Sequence, residues 1–348
     1  YQTSTAVDTK SFLRVIGLYP SAPHPEIFGL HENADITGQQ NATAELFSTV
    51  LAMQSAGRAT GATAGEARET QVTNLIVDMM SKLPPEFKLE TALIKYPSTY
   101  EESMNTVLTQ ECVRYNHLLE VIGASLQETL RGLKGLVVMN PELEAVAAAI
   151  YDNQVPAVWA AKAYPSLKPL AAWIIDLLRR HAFIQDWLNH GHPKVYWVSG
   201  LFFPQAFLTG TLQNFARRNK VPIDSVSFGF QAMSMKEADI VTPPECGCYI
   251  SGLFLEGARW SRQEMALTES KPKELYTEMP VVWLIPTQDR EPPVGDIYPC
   301  PLYKTLQRAG VLSTTGHSTN FIMYVELPSN MPQKHWVARG VALFTSLK

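Results

Sequence analysis

Hydrophobic spacing divides the chain into two halves. Residues 1–190 repeat with the period of a helix, and residues 194–348 read mostly with the period of a strand, with one helix near their start. The first helical signal covers 43–54, where Leu46, Phe47, Val50 and Leu51 share one face. The stretch from Ser55 to Thr70 holds Gly57, Gly61 and Gly65 among Ala and Thr and no large apolar residue, so it reads as a solvated loop. Val72, Leu75, Ile76, Met79, Met80 and Leu83 then form a helical stripe that Pro84 and Pro85 stop. From about 100 to 133, Val107, Leu108, Tyr115, Leu118, Leu119, Ile122, Leu126 and Leu133 share a broad face that no proline interrupts. At 1.5 Å per residue this helix is about 45–50 Å long. That is too long to hide in a small globule, so it implies an extended platform or a partner along its length.

Asn140 at a cap, Pro141 behind it, and Glu142 and Glu144 in the first turn announce a further helix. Ser166 is the expected cap of the last helix of this half, which carries Trp173, Ile174, Leu177, Leu178, Ile184 and Trp187 and ends at Asn189 to Pro193. Beyond Pro193, Val195 to Val198 is a short strand and 204–218 a helix around Phe207, Leu208, Leu212 and Phe215. Val226, Phe228 and Phe230 alternate with small polar residues, and further strands are expected over 247–255, 281–285, 320–327 and 335–346. Prolines at 243–244, 280, 292–293 and 328 punctuate them. The pattern is α+β: a helical N-terminal half with one long helix, then an antiparallel sheet curled into an incomplete β-barrel.

Composition narrows the function. The 348 residues are 46% hydrophobic and 18% charged, enough for a real core. Thirty-three acids against 29 bases give no basic excess, which argues against nucleic acid as a partner. The most apolar run, 195–210, is shorter than the ~18 residues of a membrane span and is broken by Ser199, Gly200 and Pro204. Four cysteines are too few for a disulfide scaffold. The sequence opens on Tyr1 with no signal segment, so the expectation is a soluble, intracellular piece of something longer.

Candidate chemistry is thin. Gly252 and Gly257 have the glycine spacing of a phosphate loop, but Ala258 and Arg259 stand where Lys and Ser or Thr are required. A tight corner between strands is the better reading. Ser313, Thr314, Thr315, Gly316, His317, Ser318 and Thr319 pair hydroxyls with an imidazole but include no acid, as befits a hydroxyl-rich turn. Cys246 with Cys248, His190 with His192, and His31 with Glu32 and Asp35 are each too few for a metal site, and Cys112 and Cys300 stand alone. Glu101-Glu102 and Arg179-Arg180-His181 read as solvated helix faces. The residues thus define no catalytic, cofactor-binding or metal-binding set.

A resemblance supplies what the chemistry does not. His24-Pro-Glu-Ile-Phe-Gly-Leu-His-Glu-Asn-Ala-Asp-Ile-Thr37, Tyr100-Glu-Glu-Ser-Met-Asn-Thr-Val-Leu108, Leu133-Lys-Gly-Leu-Val-Val-Met139, Tyr164-Pro-Ser-Leu-Lys-Pro-Leu170, Gln205-Ala-Phe-Leu-Thr-Gly210, Gly252-Leu-Phe-Leu-Glu-Gly-Ala-Arg-Trp260, Cys300-Pro-Leu-Tyr-Lys-Thr305, Leu312-Ser-Thr-Thr-Gly-His-Ser-Thr-Asn320 and His335-Trp-Val-Ala-Arg-Gly-Val-Ala-Leu343 occur in order along the sequence. Together they resemble the C-terminal region of dynein heavy chains, most closely the axonemal, single-headed inner-arm type.

The resemblance implies a non-catalytic structural and regulatory domain of a microtubule motor, lying on the AAA+ ring and tuning force and processivity. It implies that residues 1–110 include the end of the sixth AAA module's small helical subdomain and connecting helices, 111–192 the helical part of the C-terminal domain, and 193–348 its barrel. ATP and Mg²⁺ belong elsewhere in the parent motor, and no cofactor is expected here. The expected partners are other AAA modules of the same heavy chain, with microtubules and accessory chains reached only through the parent and with no membrane. The expected location is the cytoplasm, the cytoskeleton and the axoneme of a cilium or flagellum. Two readings of other classes compete. One is a hydrolase using Ser313 or Ser318 with His317; the other is a small-ligand-binding barrel with an apolar cavity of a few hundred Å³.

Overall fold

The computed structural model describes residues 8–19, 23–57, 62–291, 295–312 and 318–347. The helices are α1 (Thr9–Gly17), α2 (Asn33–Gly57), α3 (Ala62–Lys82), α4 (Leu89–Lys95), α5 (Ser103–Leu133), α6 (Pro141–Tyr151), α7 (Ala157–Ala160), α8 (Leu170–His190), α9 (Pro204–Asn219) and α10 (Gln333–Arg339). The strands are β1 (Val195–Trp197), β2 (Val226–Ala232), β3 (Cys248–Ser251), β4 (Phe254–Glu256), β5 (Arg259–Ser261), β6 (Ala266–Thr268), β7 (Tyr276–Glu278), β8 (Val282–Gln288), β9 (Ile297–Tyr303), β10 (Phe321–Pro328) and β11 (Ala342–Phe344).

The α+β class holds. The sheets, however, are mixed and open. One runs β1-β3-β8-β2, a second β10-β9-β11-β4-β7, and β5-β6 is a separate ribbon. β1 with β3 and β11 with β9 are parallel pairs, and no sheet among the described residues closes into a barrel. Parallel neighbours need a crossover longer than a hairpin. α9 with β2 supplies one, between β1 and β3. α10 supplies part of the other, within residues 335–346, where the apolar run predicts one continuous strand. Its helix seats a fully buried Trp336 and stops at Gly340, which has φ +67.

α5 is the spine. Its buried stripe runs from Met104 through Leu108, Tyr115 and Ile122 to Thr129, and helices α3, α4, α6, α7, α8 and α9 all lie against it. The partner that its length demands is therefore the protein's own fold. Trp159 stacks near Trp173 at 6.0 Å and Tyr164 near Trp173 at 5.9 Å, with the Trp159 indole donating to Ser125 Oγ at 2.7 Å. The core continues without a break into Leu284, Leu302 and Leu343 of the sheets.

Two local expectations change. The low-complexity stretch is mostly helix: α2 reaches Gly57 and α3 begins at Ala62, leaving 58–61 outside the described residues. Alanine has the highest helix propensity of all residues, and six occur from Ala52 to Ala67, enough to outweigh the glycines. Ser166 does not cap α8, because its hydroxyl accepts from Lys168 N. That helix starts after Pro169, and Asn153, 18 residues upstream, receives its first free amides: Ala171 N on Oδ1 at 3.0 Å and Leu170 N on the backbone oxygen at 2.9 Å. Asn140 does cap α6, accepting from Leu143 N at 2.8 Å.

Candidate functional site

Two features stand out, a polar junction inside the molecule and an uncovered apolar face on its N-terminal helices. The junction is the segment 198–203 between β1 and α9. The Ser199 hydroxyl donates toward Gly252 O at 2.8 Å and Thr345 O at 2.5 Å. The Tyr115 hydroxyl, from the middle of α5, donates to Gly200 O at 2.8 Å. Glu111, one turn earlier, accepts Phe202 N at 2.5 Å and Phe203 N at 3.0 Å, with Arg114 at 3.4 Å. One face of α5 thus holds Gly200, Phe202 and Phe203 of this segment, while Ser199 is tied to the sheet region. Burial raises the Glu111 carboxyl above its ordinary range, against the opposing pull of the two amides and Arg114.

A second buried set ties α8 to the C-terminus. Arg180 Nε meets Asp176 Oδ2 at 2.6 Å, and Lys168 Nζ reaches Asp176 Oδ1 at 3.2 Å and Ser346 Oγ at 3.0 Å. Burial alone would raise the Asp176 carboxyl, but Arg180 and Lys168 more than reverse it and hold it low. Arg180 lies 3.8 Å over the Tyr164 ring. His181, beside it, stacks on Phe87 at 4.2 Å and donates from Nε2 to Pro85 O, and burial lowers its pKa. The expected solvated face therefore holds for Arg179 alone, since Arg180 and His181 are interior. Glu102 likewise caps α5 through Met104 N and binds Asn214, while Glu101 is exposed.

The uncovered face lies on α1 and α2. No residue of α1 is buried, and Phe12, Leu13 and Ile16 face outward. In α2, Asn33 is buried, while Leu46, Phe47, Val50 and Met53 are all exposed; the first two are each 63% accessible. Every residue from 38 to 50 is exposed, so this part of α2 stands clear of the rest of the described residues, and Leu46, Phe47 and Val50, whose spacing gives the first helical signal, are uncovered with it.

The sequence-level candidates fall as follows. Gly252 and Gly257 are corners flanking β4 with φ +83 and +77; a Cβ on Gly252 would lie 2.5 Å from Trp197, and one on Gly257 2.9 Å from Arg339 O. Cys246 and Cys248 are unpaired, and burial pushes the Cys248 thiol up to about 12. His190 pairs with Asp186, His192 with the Tyr196 hydroxyl, and His31 accepts from Asn33 N. No cluster of three or more metal-ligating side chains occurs among the described residues. Ser313 and His317 lie outside the described residues; Leu312 and Ser318, on either side, form a β-bridge, and Ser318 Oγ accepts from Asn320 N. The ligand-barrel alternative needs a closed barrel, and neither sheet closes among the described residues. A cavity of about 450 Å³ between α9 and residues 244–248 has a mixed wall, with Glu102, Asn214 and Arg218 beside Met104, Phe207 and Phe215. Sequence reasoning passes over Glu111. Its signal is present, since it sits four residues after Val107 and four before Tyr115, a carboxylate inside the apolar stripe.

Fold and surface together define an α+β domain built on one long buried helix and open mixed sheets, with an exposed helix on its N-terminal side. A model of the C-terminal domain of dynein heavy chains matches residues 40–345, and the protein belongs to that family. It is similar to human dynein axonemal heavy chain 1, at 52% identity over 347 residues covering 100% of this sequence and 8% of the relative. It is also similar to mouse dynein axonemal heavy chain 3, at 48% over 341 residues (97% of this sequence, 8% of the relative), and to human dynein axonemal heavy chain 12, at 46% over 338 residues (97% and 11%). It thus spans about a tenth of the length of these curated relatives. No described helix is long and apolar enough to cross a membrane.

Proposed function

We propose that this protein is the non-catalytic structural and regulatory domain at the C-terminal end of an axonemal dynein heavy chain, working in the ciliary or flagellar cytoskeleton. It lies on the AAA+ ring of the motor and biases which ring conformations are populated, and so tunes force and processivity. A surface can do this through the difference in contact energy between two states, with no chemistry of its own. Its direct partners are other AAA modules of the same heavy chain. Microtubules and accessory chains act on it through the parent, which binds ATP and Mg²⁺ elsewhere. Residues 1–110 join it to the last ring module, 111–192 form its helical part and 193–348 its sheet part.

The observation that carries this reading is the bare apolar face of α2, in a sequence homologous along its whole length to a small part of a far longer protein. Removing 193–348 would strip the shared core, so point substitutions make the cleaner test. In a full-length motor, Leu46→Glu with Phe47→Glu is expected to change stall force or run length, measured on single motors. Unchanged motility and ATPase would sink the proposal.

A further inference from the structure

The family match begins at residue 40, yet the structure ties the residues just before it to the far half of the molecule. Asn33, the first residue of α2, is 8% exposed. Its Nδ2 donates to Lys271 O at 2.9 Å and to Glu274 O at 3.0 Å, and its Oδ1 accepts from Lys273 N at 2.7 Å. One side-chain amide thus satisfies three backbone groups of a single turn some 240 residues away. A second fastening lies beside it. Arg339, at the end of α10, donates from Nη1 to Leu30 O at 2.8 Å and is held on its other side by Glu269 at 3.5 Å. Gly29 has φ +79 and sits so close to Ala338 that an added Cβ would come within 3.1 Å.

We propose that residues 25–37 are a strap belonging mechanically to the sheet half, with Asn33 as its clasp. The head of α2 and the turn 271–274 then move as one body. Any displacement that arrives from the N-terminal side enters the sheet half first, and the α5 spine only afterwards, through the return of α3. The clasp is specific to asparagine, because the site needs two donors and one acceptor on one short planar group. Aspartate lacks the donors, and alanine lacks both. The strap decides which parts of this protein hold together, whatever lies outside it.

Amide hydrogen exchange on the whole 348-residue protein tests it directly. In the unaltered protein, the amide of Lys273 and the strap amides with partners, such as Gly29 and Leu30, are expected to be protected well above free-peptide rates. Asn33→Ala should accelerate exchange at Lys273 and along the strap together, by roughly tenfold or more, while peptides from α5 keep their protection. Asn33→Asp, which keeps the acceptor for Lys273 N but loses both donors, should release the strap with less effect at Lys273. Free-peptide exchange of the strap in the unaltered protein would overturn the proposal, whatever the variants do. So would Asn33→Ala leaving the strap and Lys273 as protected as before. Should Asn33→Ala not fold, the unaltered protein and Asn33→Asp still decide the matter.

Discussion

α2 and α5 are both long helices with apolar stripes, of 25 and 31 residues, and they end up in opposite environments. α5 buries its stripe along its whole length, with Leu108, Tyr115, Leu118, Ile122 and Leu126 fully interior. α2 leaves Leu46, Phe47, Val50 and Met53 in solvent. The stripe reports that a face seeks cover, not where the cover comes from. For α5 the cover lies within the described residues; for α2, none of the described residues supplies it. The sharpest way to break this contrast is Leu118→Ala. The side chain is wholly buried, and the cavity left behind should lower unfolding stability by about 3–5 kcal/mol, read from denaturant melts. A loss below about 1 kcal/mol would mean that α5 is not the spine.

Glu111 tests whether the spine also governs the junction. Glu111→Ala leaves the amides of Phe202 and Phe203 without their acceptor, and a loss of about 2–3 kcal/mol is expected. Glu111→Gln keeps one acceptor oxygen and should lose less. Its pH behaviour has a definite sign. Burial raises the folded-state pKa above the ordinary 4.5, so the native state holds the proton more tightly than the unfolded state does. The stability this contributes is complete below 4.5 and is lost as pH rises through the raised value. The stability of the unaltered protein relative to Glu111→Gln should therefore fall as pH rises through that window, and stay level outside it. Asp176 runs the other way, because its lowered pKa contributes stability above 3.8 that disappears as pH falls through the folded value.

The capping residue of α6 allows a smaller test on a helix that lies against the spine. Asn140→Ala removes the acceptor for Leu143 N and should destabilise by about 1 kcal/mol. This cap is legible in the sequence because its residues are adjacent: Asn, Pro and two acids in the first turn. The stripe of α5, the stop at Pro84 and the alternation of β2 are legible for the same reason. What escapes is what depends on distant segments. The cap of α8 comes from Asn153 across a turn, and no local pattern marks it. β9 is hidden by Pro299 and Pro301, which argue against a strand; it accommodates them because β11 pairs only with Leu302 and Tyr303, leaving β9 without a ladder on that side from Ile297 to Pro301. α10 is hidden inside an apolar run without clear period. Glu111 and Asn33 need three dimensions, since their partners are backbone groups that carry no signature.

The smallest expected effect makes the strictest test of the contrast. Phe47→Ala on α2, in the 348-residue protein, removes a large aromatic side chain that is 63% exposed. Little apolar surface leaves a buried environment, and no cavity forms, so the terms that make Leu118→Ala severe are absent. Alanine is also the better helix former, by up to about 0.5 kcal/mol in an exposed helix. The net change in unfolding stability should fall between zero and a gain of about 0.5 kcal/mol, and the variant should be less prone to self-association, because one member of an exposed apolar stripe is gone. A loss beyond about 1 kcal/mol would require Phe47 to be covered by these residues themselves. α2 would then be a second spine, and its face could no longer serve as the surface offered to a neighbour.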